Sequence, residues 1–180
     1  MNLTDLRNIL GNCQRCKLHA GRTNIVFGSG PETAELMLVG EGPGAEEDLQ
    51  GLPFVGRSGA LLRKILKNVG APEPYIANVV KCRPPKNRVP EPAEVNACAG
   101  FLAAQIGIVQ PRVIVTLGKL AAETLLGEAV AITRTRGYWK RWRDIPLMPT
   151  FHPAYALRNP REESRMVADF QAVVERLVKQ

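Results

Sequence analysis

Features that would place this chain outside the ordinary globular class are missing from its sequence. No apolar run approaches the ~18 residues of a membrane span, and residues 1–5 lack the basic and apolar regions that begin a signal peptide. No repeat, low-complexity tract or linker divides the 180 residues, a length sufficient for one domain with a sizeable core. The sequence therefore predicts a single cytoplasmic domain over residues 1–180, with no membrane partner.

Cysteine is scarce, and its four positions form a pattern. Cys13 and Cys16 have the C-x-x-C spacing of a metal site, and Cys82 and Cys98 follow after a gap of 65 residues. Reduced cytosolic thiols favour a metal over disulfides, and four thiolates suit a structural zinc or an iron–sulfur cluster. Convergence of all four would tie residues 1–25 to the middle of the fold. The alternative is four unrelated buried thiols.

Acidic residues are outnumbered by basic ones. The chain has 24 Lys and Arg against 17 Asp and Glu, a net charge of +7 and a pI near 9.5. Arginine, whose planar guanidinium is the better phosphate ligand, outnumbers lysine by 16 to 8. This balance indicates a polyanionic partner, most often nucleic acid. Residues 134–143 mix basic and aromatic side chains, which indicates either stacking on bases or a solvated β-hairpin around Gly137.

Aromatic residues are also few, so aliphatic runs carry most of the secondary-structure signal. Short apolar runs predict strands, and apolar residues at every third or fourth position predict helices. The predicted strands cover residues 36–39, 75–80, 113–117 and 145–151, and the predicted helices cover residues 59–69, 91–108, 119–126 and 162–178. This alternation predicts an α/β fold with a mostly parallel, four-stranded sheet covered by helices.

Polar residues follow the predicted strands at the edge of the sheet where ligands bind in parallel α/β folds. Glu41 follows the first strand, Asn78 lies on the second, Lys119 follows the third and His152 follows the fourth. An acid, an amide and a histidine at three strand ends are typical of a functional site. His152 could instead be a hydrogen-bonded structural residue, but its place directly after an apolar strand favours a catalytic role.

Two glycine-rich loops lie beside these residues. Residues 40–44 read GEGPG, which lets backbone approach a ligand but matches neither the Walker loop nor the dinucleotide-binding signature. Its alternative interpretation is a tight strand-to-helix turn. Residues 51–59 carry one aromatic residue, Phe54, which is either a stacking surface for a ring or a core plug.

Taken together, these segments resemble the iron–sulfur uracil-DNA glycosylases, family four of the uracil-DNA glycosylase superfamily. The similarity covers most of the chain: the cysteine frame, GEGPG at 40–44, PFVGR at 53–57, NVVKCRPP at 78–85 and HPAY at 152–155. Each motif alone is weak, but all of them in this order are highly specific. The resemblance implies a three-layer α/β/α sandwich with a four-stranded sheet, and it implies a 4Fe–4S cluster rather than zinc.

The resemblance also implies an activity. The chain is expected to be a monofunctional DNA glycosylase that flips uracil out of single- or double-stranded DNA and hydrolyses its N-glycosidic bond, which starts base-excision repair. No lysine nucleophile is suggested, so strand cleavage is not expected. The protein is expected to be a monomer, associated with the nucleoid in a prokaryote.

The family's roles transfer to residues of this chain. The expected catalytic residues are Glu41, Glu47 and His152. The expected uracil-binding residues are Glu41, Gly42, Pro43, Glu47, Phe54, Asn78 and His152. The expected cluster ligands are Cys13, Cys16, Cys82 and Cys98. The expected DNA contacts are Ser58, Arg83, Lys119, Tyr155 and Arg158.

The chain departs from the best-known glycosylases of the superfamily at several positions. Gly42 and Gly44 stand where those enzymes carry a water-activating Asp and a Tyr, so Glu41 or Glu47 is expected to hold the water. The Leu that those enzymes push into the duplex corresponds to Ala156, with Leu157 beside it. Residues 83–97 contain no His, so the covalent trapping seen in one relative is not expected.

Two other function classes fit parts of the sequence. A DNA-binding protein without catalysis could hold zinc with the four cysteines, and it would be colourless. A small-molecule transferase could use the same sheet, and it would release no uracil from DNA.

Overall fold

A computed structural model describes residues 1–179 and contains a five-stranded sheet in the order β2-β1-β3-β5-β4. Its strands are β1 (Leu36–Gly40), β2 (Tyr75–Asn78), β3 (Val113–Leu117), β4 (Lys140–Trp142) and β5 (Ile145–Thr150). The first three and β5 are parallel, and β4 pairs antiparallel with β5. The predicted α/β class with a mostly parallel sheet is confirmed, with one strand more than expected. The predicted domain boundary, Gln180, lies outside the described residues.

Helices cover both faces of this sheet. Within residues 1–179 they are α1 (Leu3–Leu10), α2 (Ala45–Gln50), α3 (Arg57–Val69), α4 (Pro92–Val109), α5 (Lys119–Leu126), α6 (Ile132–Thr135), α7 (Pro153–Arg158) and α8 (Glu163–Lys179). Helices α3, α7 and α8 share one core cluster with alternate residues of β1 and β3. Helices α4 and α5 share the other cluster with the intervening strand residues. The three predicted layers are therefore present.

The central strands are buried on both faces. Every residue of β1 and β3 is buried, which explains why these segments are continuous apolar runs rather than alternating ones. Leu36 and Leu38 pack toward α3 and α8, whereas Met37 and Val39 pack toward α4. Each strand therefore contributes to two cores, and its carboxyl end is held in place from both sides.

The N-terminal segment packs on α4. Leu6 and Leu10 of α1 form a small apolar cluster with Phe27 and with Phe101 of α4. Further along, the buried carboxylate of Asp48 accepts hydrogen bonds from the backbone N–H groups of residues 23 and 24, at 2.8 and 3.2 Å. These contacts attach the first 25 residues to the rest of the fold.

Helix α4 is long and apolar enough to cross a membrane, by length and composition only. This corrects the expectation that no segment approaches such a length. One such helix is weak evidence for a membrane span, because the core helix of a soluble protein passes the same test. Here Leu102, Ile106 and Val109 pack in the core beneath the sheet.

The sheet differs from the predicted one most at the end of β2 and at the hairpin that contains β4. Strand β2 ends at Asn78, two residues earlier than predicted. The hairpin turn lies between β4 and β5 at Arg143, which has a left-handed φ of 51°, rather than at Gly137. Strand β4 was not predicted because two of its three side chains are exposed charges, which leave no apolar period.

Candidate active site

A cavity of about 500 Å³ opens at the carboxyl ends of the four parallel strands. All seven residues predicted to bind uracil line it. Of the five predicted DNA contacts, the structure places four at the cavity, namely Ser58, Lys119, Tyr155 and Arg158. Arg83 is not among the described residues that line it. Its Nε instead donates a hydrogen bond to Asn87 Oδ1 at 2.8 Å.

Phe54 forms a wall of the cavity and is also part of the core. Its backbone is left-handed, with a φ of 52°, and its ring lies 5.6 Å from the His152 ring, centroid to centroid. Two glycines make room for it. A Cβ on Gly40 would lie 2.7 Å from Phe54 Cζ, and a Cβ on Gly59 would overlap the Phe54 carbonyl. The two interpretations of this residue, core plug and ring surface, are therefore compatible.

Asn78 presents an unsatisfied polar atom to the cavity. The residue ends β2 and is 2% exposed. Its Oδ1 is buried and has no hydrogen-bond partner among residues 1–179. Leaving a buried acceptor unpaired costs about 1–3 kcal/mol, so this oxygen indicates a ligand that carries an N–H or O–H donor.

His152 is held in one tautomer. It caps α7, and its Nδ1 accepts a hydrogen bond from the backbone N–H of Ala154 at 3.0 Å. Burial, and secondarily the positive charge of Arg158, lower the pKa of His152 to about 4. The ring is therefore neutral at physiological pH. Because Nδ1 is the acceptor, Nε2 carries the hydrogen and is the ring's remaining donor.

Two carboxylates share the cavity with His152. Burial raises the pKa of Glu41. Burial is also the main cause that raises the pKa of Glu47, with a smaller contribution from the charge of Glu46. A carboxylate with a raised pKa is a stronger base, which suits a group that takes a proton from water.

In the observed arrangement of the cavity, Gly42 has no room for a side chain. A Cβ at this position would lie 2.7 Å from Val80 Cγ2, closer than real Cβ contacts. The absence of an acid at position 42 thus has a local structural cause, because an Asp there would require Val80 to move.

Residues 84–89 form part of the cavity mouth, and the sequence did not reveal this. Pro84, Asn87, Arg88 and Val89 all line the cavity. The loop is held by Arg88, whose Nη1 and Nη2 donate to the two carboxylate oxygens of Glu94 at 2.7 and 2.9 Å. These hydrogen bonds are the main cause of a lowered pKa of Glu94. The available signal was the proline-rich segment followed by an Arg–Glu pair near a helix start.

Exposure distinguishes the two candidates for the residue that enters the duplex. Ala156 is 2% exposed and packs in the core, whereas Leu157 is 37% exposed. Of these two residues, Leu157 is therefore the one that presents apolar surface to a partner.

The four cysteines come together between the N-terminal segment, the end of β2 and α4. Cys82 and Cys98 are buried in one cluster, and Cys16 packs against it. Burial raises the pKa of the Cys82 thiol to about 11, with further contributions from Cys98 and Cys16. Burial likewise raises the pKa of Cys98, with smaller contributions from Cys16 and Cys13. Cys98 is thus the cysteine that lies near each of the other three.

The surroundings of these sulfurs suit an anionic centre. Arg22 Nη1 donates to Cys82 Sγ at 3.4 Å and to the Cys13 carbonyl at 2.6 Å. The four thiols are free rather than disulfide-bonded. In the part of the chain that the structure describes, no three His, Cys, Asp or Glu side chains are arranged to hold a single metal ion. Four free thiols are a donor set that suits a structural zinc or an iron–sulfur cluster.

Comparisons with known proteins agree with this arrangement. Residues 27–178 match the family model of the uracil DNA glycosylase superfamily. The Type-4 uracil-DNA glycosylase of Thermotoga maritima is 49% identical over 159 residues, which cover 86% of this chain and 83% of that protein. The Type-4 uracil-DNA glycosylase of Archaeoglobus fulgidus is 39% identical over 184 residues, which cover 97% of this chain and 92% of that protein.

A third relative supports the same family assignment. The Type-4 uracil-DNA glycosylase of Sulfurisphaera tokodaii is 42% identical over 185 residues, which cover 97% of this chain and 84% of that protein. Because the similarity spans the cavity, the cysteine positions and nearly all of the sheet, this chain belongs to the uracil-DNA glycosylase superfamily, and within it to the type-4 family.

Proposed function

We propose that the protein is a uracil-DNA glycosylase that removes uracil from DNA and so starts base-excision repair. The observation that carries the proposal is the buried, unpaired Oδ1 of Asn78 inside a cavity with an aromatic wall. A flat base with an N–H donor on its edge satisfies both features. Such a base reaches the cavity only after it is flipped out of the stack, which costs a few kcal/mol.

The reading of the base follows from the geometry of the cavity. Uracil N3–H donates to Asn78 Oδ1, the Asn78 amide donates to uracil O4, and the ring lies against Phe54. Cytosine offers an amine donor and an unprotonated N3 on the same edge, so both contacts would be mismatched. A buried hydrogen-bonding site of this kind rejects the wrong partner by ~10⁴-fold or more.

The chemistry requires stabilisation of negative charge on uracil O2 as the N-glycosidic bond breaks. His152 supplies this as a neutral donor through Nε2–H, supported by the Gly42 backbone. A donor held in place before the reaction stabilises the transition state by several kcal/mol. Glu41 or Glu47 holds the attacking water and balances the cationic sugar.

The mouth of the cavity carries the DNA contacts. Ser58, Lys119, Tyr155 and Arg158 lie where phosphates of the flipped strand would pass, and the net charge of +7 favours such a partner. Leu157 fills the space that the flipped nucleotide leaves in the duplex. Arg83 does not line the cavity but donates a hydrogen bond to Asn87 in the mouth loop, residues 84–89.

The four free thiols of the cysteine centre support the proposal that Cys13, Cys16, Cys82 and Cys98 hold a 4Fe–4S cluster. When bound, the cluster links residues 1–25 to β2 and α4 and has no place in the hydrolysis itself. The raised thiol pKa values of Cys82 and Cys98 mean that metal binding must displace their protons. We place the protein in the cytoplasm as a monomer, associated with the nucleoid in a prokaryote.

The deciding experiment compares oligonucleotides that differ in one base. Uracil-containing DNA should release free uracil and become sensitive to alkali, whereas the thymine-containing control should stay intact, and neither should be cut without alkali. Single- and double-stranded substrates are tested in parallel. Failure to release uracil from either form would refute the proposal.

A further inference from the structure

Lys81 is a buried cation that the proposed chemistry does not use. It is 0% exposed, and its Nζ donates hydrogen bonds to the Asn78 carbonyl oxygen at 2.8 Å and to Gln105 Oε1 at 2.6 Å. A buried lysine is costly unless it is paired or hydrogen-bonded, so its contacts should explain its presence.

The hydrogen bonds of Lys81 continue into the core. Gln105 on α4 is also fully buried, and its Nε2 donates to the Phe27 carbonyl at 2.8 Å and to the Tyr75 hydroxyl at 3.1 Å. Lys81 therefore connects the end of β2 to α4 and, through Gln105, to the start of β2. A network of this kind, with its members satisfied, makes the position of each member more rigid.

The main chain of Lys81 adjoins the cysteine centre. Its carbonyl accepts a hydrogen bond from the Val26 N–H at 2.8 Å, and Cys82 follows it directly in the chain. Lys81 thus contacts the carbonyl of the base-reading Asn78 and is the chain neighbour of one cysteine of the centre.

We infer that Lys81 is a positioning residue for uracil recognition. Its Nζ donates to the main chain of Asn78 at the end of β2 and thereby fixes the Asn78 side chain that reads the base. The inference rests on the proposed function, because it assigns the base contact to Asn78. An apolar residue of the same length would fill the same space, but only a hydrogen-bond donor satisfies the Asn78 carbonyl.

Lys81→Met tests this directly. Methionine keeps much of the apolar stem but has no donor, so the Asn78 carbonyl loses its partner. The measured quantity is the ratio of affinities for two DNAs, one with uracil on a 2′-fluorinated sugar that resists hydrolysis and one with thymine at the same position. The ratio should fall by about tenfold or more, the cost of leaving a buried acceptor without its partner. Affinity for the thymine DNA and the iron content should match those of the parent.

Arg112→Met is the matched control. Arg112 also donates to a backbone carbonyl, that of Leu177 at 2.9 Å. It lies just before β3, at the amino ends of the strands and away from the cavity at their carboxyl ends. This variant should lose stability and keep the parental affinity ratio. Thermal unfolding of both variants then separates a general loss of stability from a loss of base reading.

Each outcome decides the inference. A parental ratio in Lys81→Met overturns it, as does an equal loss of affinity for both DNAs, or a loss of iron together with the ratio. If Lys81→Met does not fold, Gln105→Met removes one of the two acceptors of Nζ, and the ratio should then fall by about threefold. An unchanged ratio in Gln105→Met would also overturn the inference. If the parent itself does not distinguish uracil from thymine, it is the proposed function that fails.

Discussion

Replacing His152 separates the helix cap that its ring forms in the structure from the donor role that we propose for it. Nδ1 accepts the Ala154 N–H at 3.0 Å and so caps α7, and Nε2–H is left as the donor toward uracil O2. His152→Asn keeps a side-chain oxygen of the kind that caps helices but is too short to reach the base. His152→Ala removes both the cap and the donor.

The expected magnitudes follow from these contacts. Loss of one donor that stabilises developing charge should lower single-turnover cleavage by ~10²–10³-fold in both variants. His152→Ala should also lose about 1 kcal/mol of stability with its cap, which corresponds to about 2–4 °C in Tm for a chain of this length. Affinity for uracil DNA should change little, because the donor acts mainly on charge that develops during the reaction.

The pH dependence gives an independent check. The pKa of His152 falls from 6.5 to about 4 in the folded protein, so only the unfolded chain takes up this proton between these values. Stability should therefore decrease as the pH falls from 6.5 through about 4, by about 3 kcal/mol for this residue. The contribution of His152 to the rate should be constant above about pH 5, since the ring is already neutral there.

The assay uses enzyme in excess over a uracil-containing oligonucleotide, from about pH 5 to about pH 9, with alkali to reveal abasic sites. Both variants are compared with the parent at each pH. Unchanged cleavage in His152→Ala would remove this residue from the mechanism. A parental rate that declines as the pH rises through 6.5, with no such decline in the variants, would show that the charged imidazolium is the active form.

Three further predictions concern the base, the cysteines and the DNA. Asn78→Asp should weaken uracil excision strongly and allow slow cytosine excision, measured on matched uracil and cytosine oligonucleotides; parental uracil activity would place the base elsewhere. Cys98→Ala should lose the brown colour and the soluble yield together, and a colourless, stable and active variant would contradict a structural cluster. Arg158→Ala should reduce the slope of log affinity against log salt by about one, whereas Arg134→Ala, away from the cavity, should not. A slope near zero in the parent would contradict a phosphate-binding partner.

The sequence was sufficient to predict the central strands and the edge of the sheet at which the site lies. Strands β1 and β3 are buried on both faces, so their apolar runs identify them without knowledge of their neighbours. Because parallel strands end at one edge, Glu41, Asn78 and His152 could be expected to meet there before any contact was known.

Buried charges and left-handed residues could not be predicted in the same way. Lys81 finds its acceptor Gln105 24 residues further along the chain, and a run of sequence does not indicate which polar residue a buried cation will meet. The mouth loop depends on left-handed conformations at Lys86 and Asn87, which non-glycine residues adopt only when contacts such as that between Arg88 and Glu94 impose them.

The packing of α1 against α4 has a consequence for the order in which contacts form during synthesis. Phe101, the partner of Leu6 and Leu10, lies 91 residues after Leu10. At a synthesis rate of about 5–20 residues per second, it follows about 5–20 s later. An isolated helix of eight residues is marginal in water, so α1 cannot persist alone during that interval.

Helix α1 is thus made well before the helix that it packs against. Its apolar side chains stay exposed, and Cys13 and Cys16 stay accessible, until the middle of the chain has been made. Docking of α1 on α4 therefore waits until Phe101 has been made.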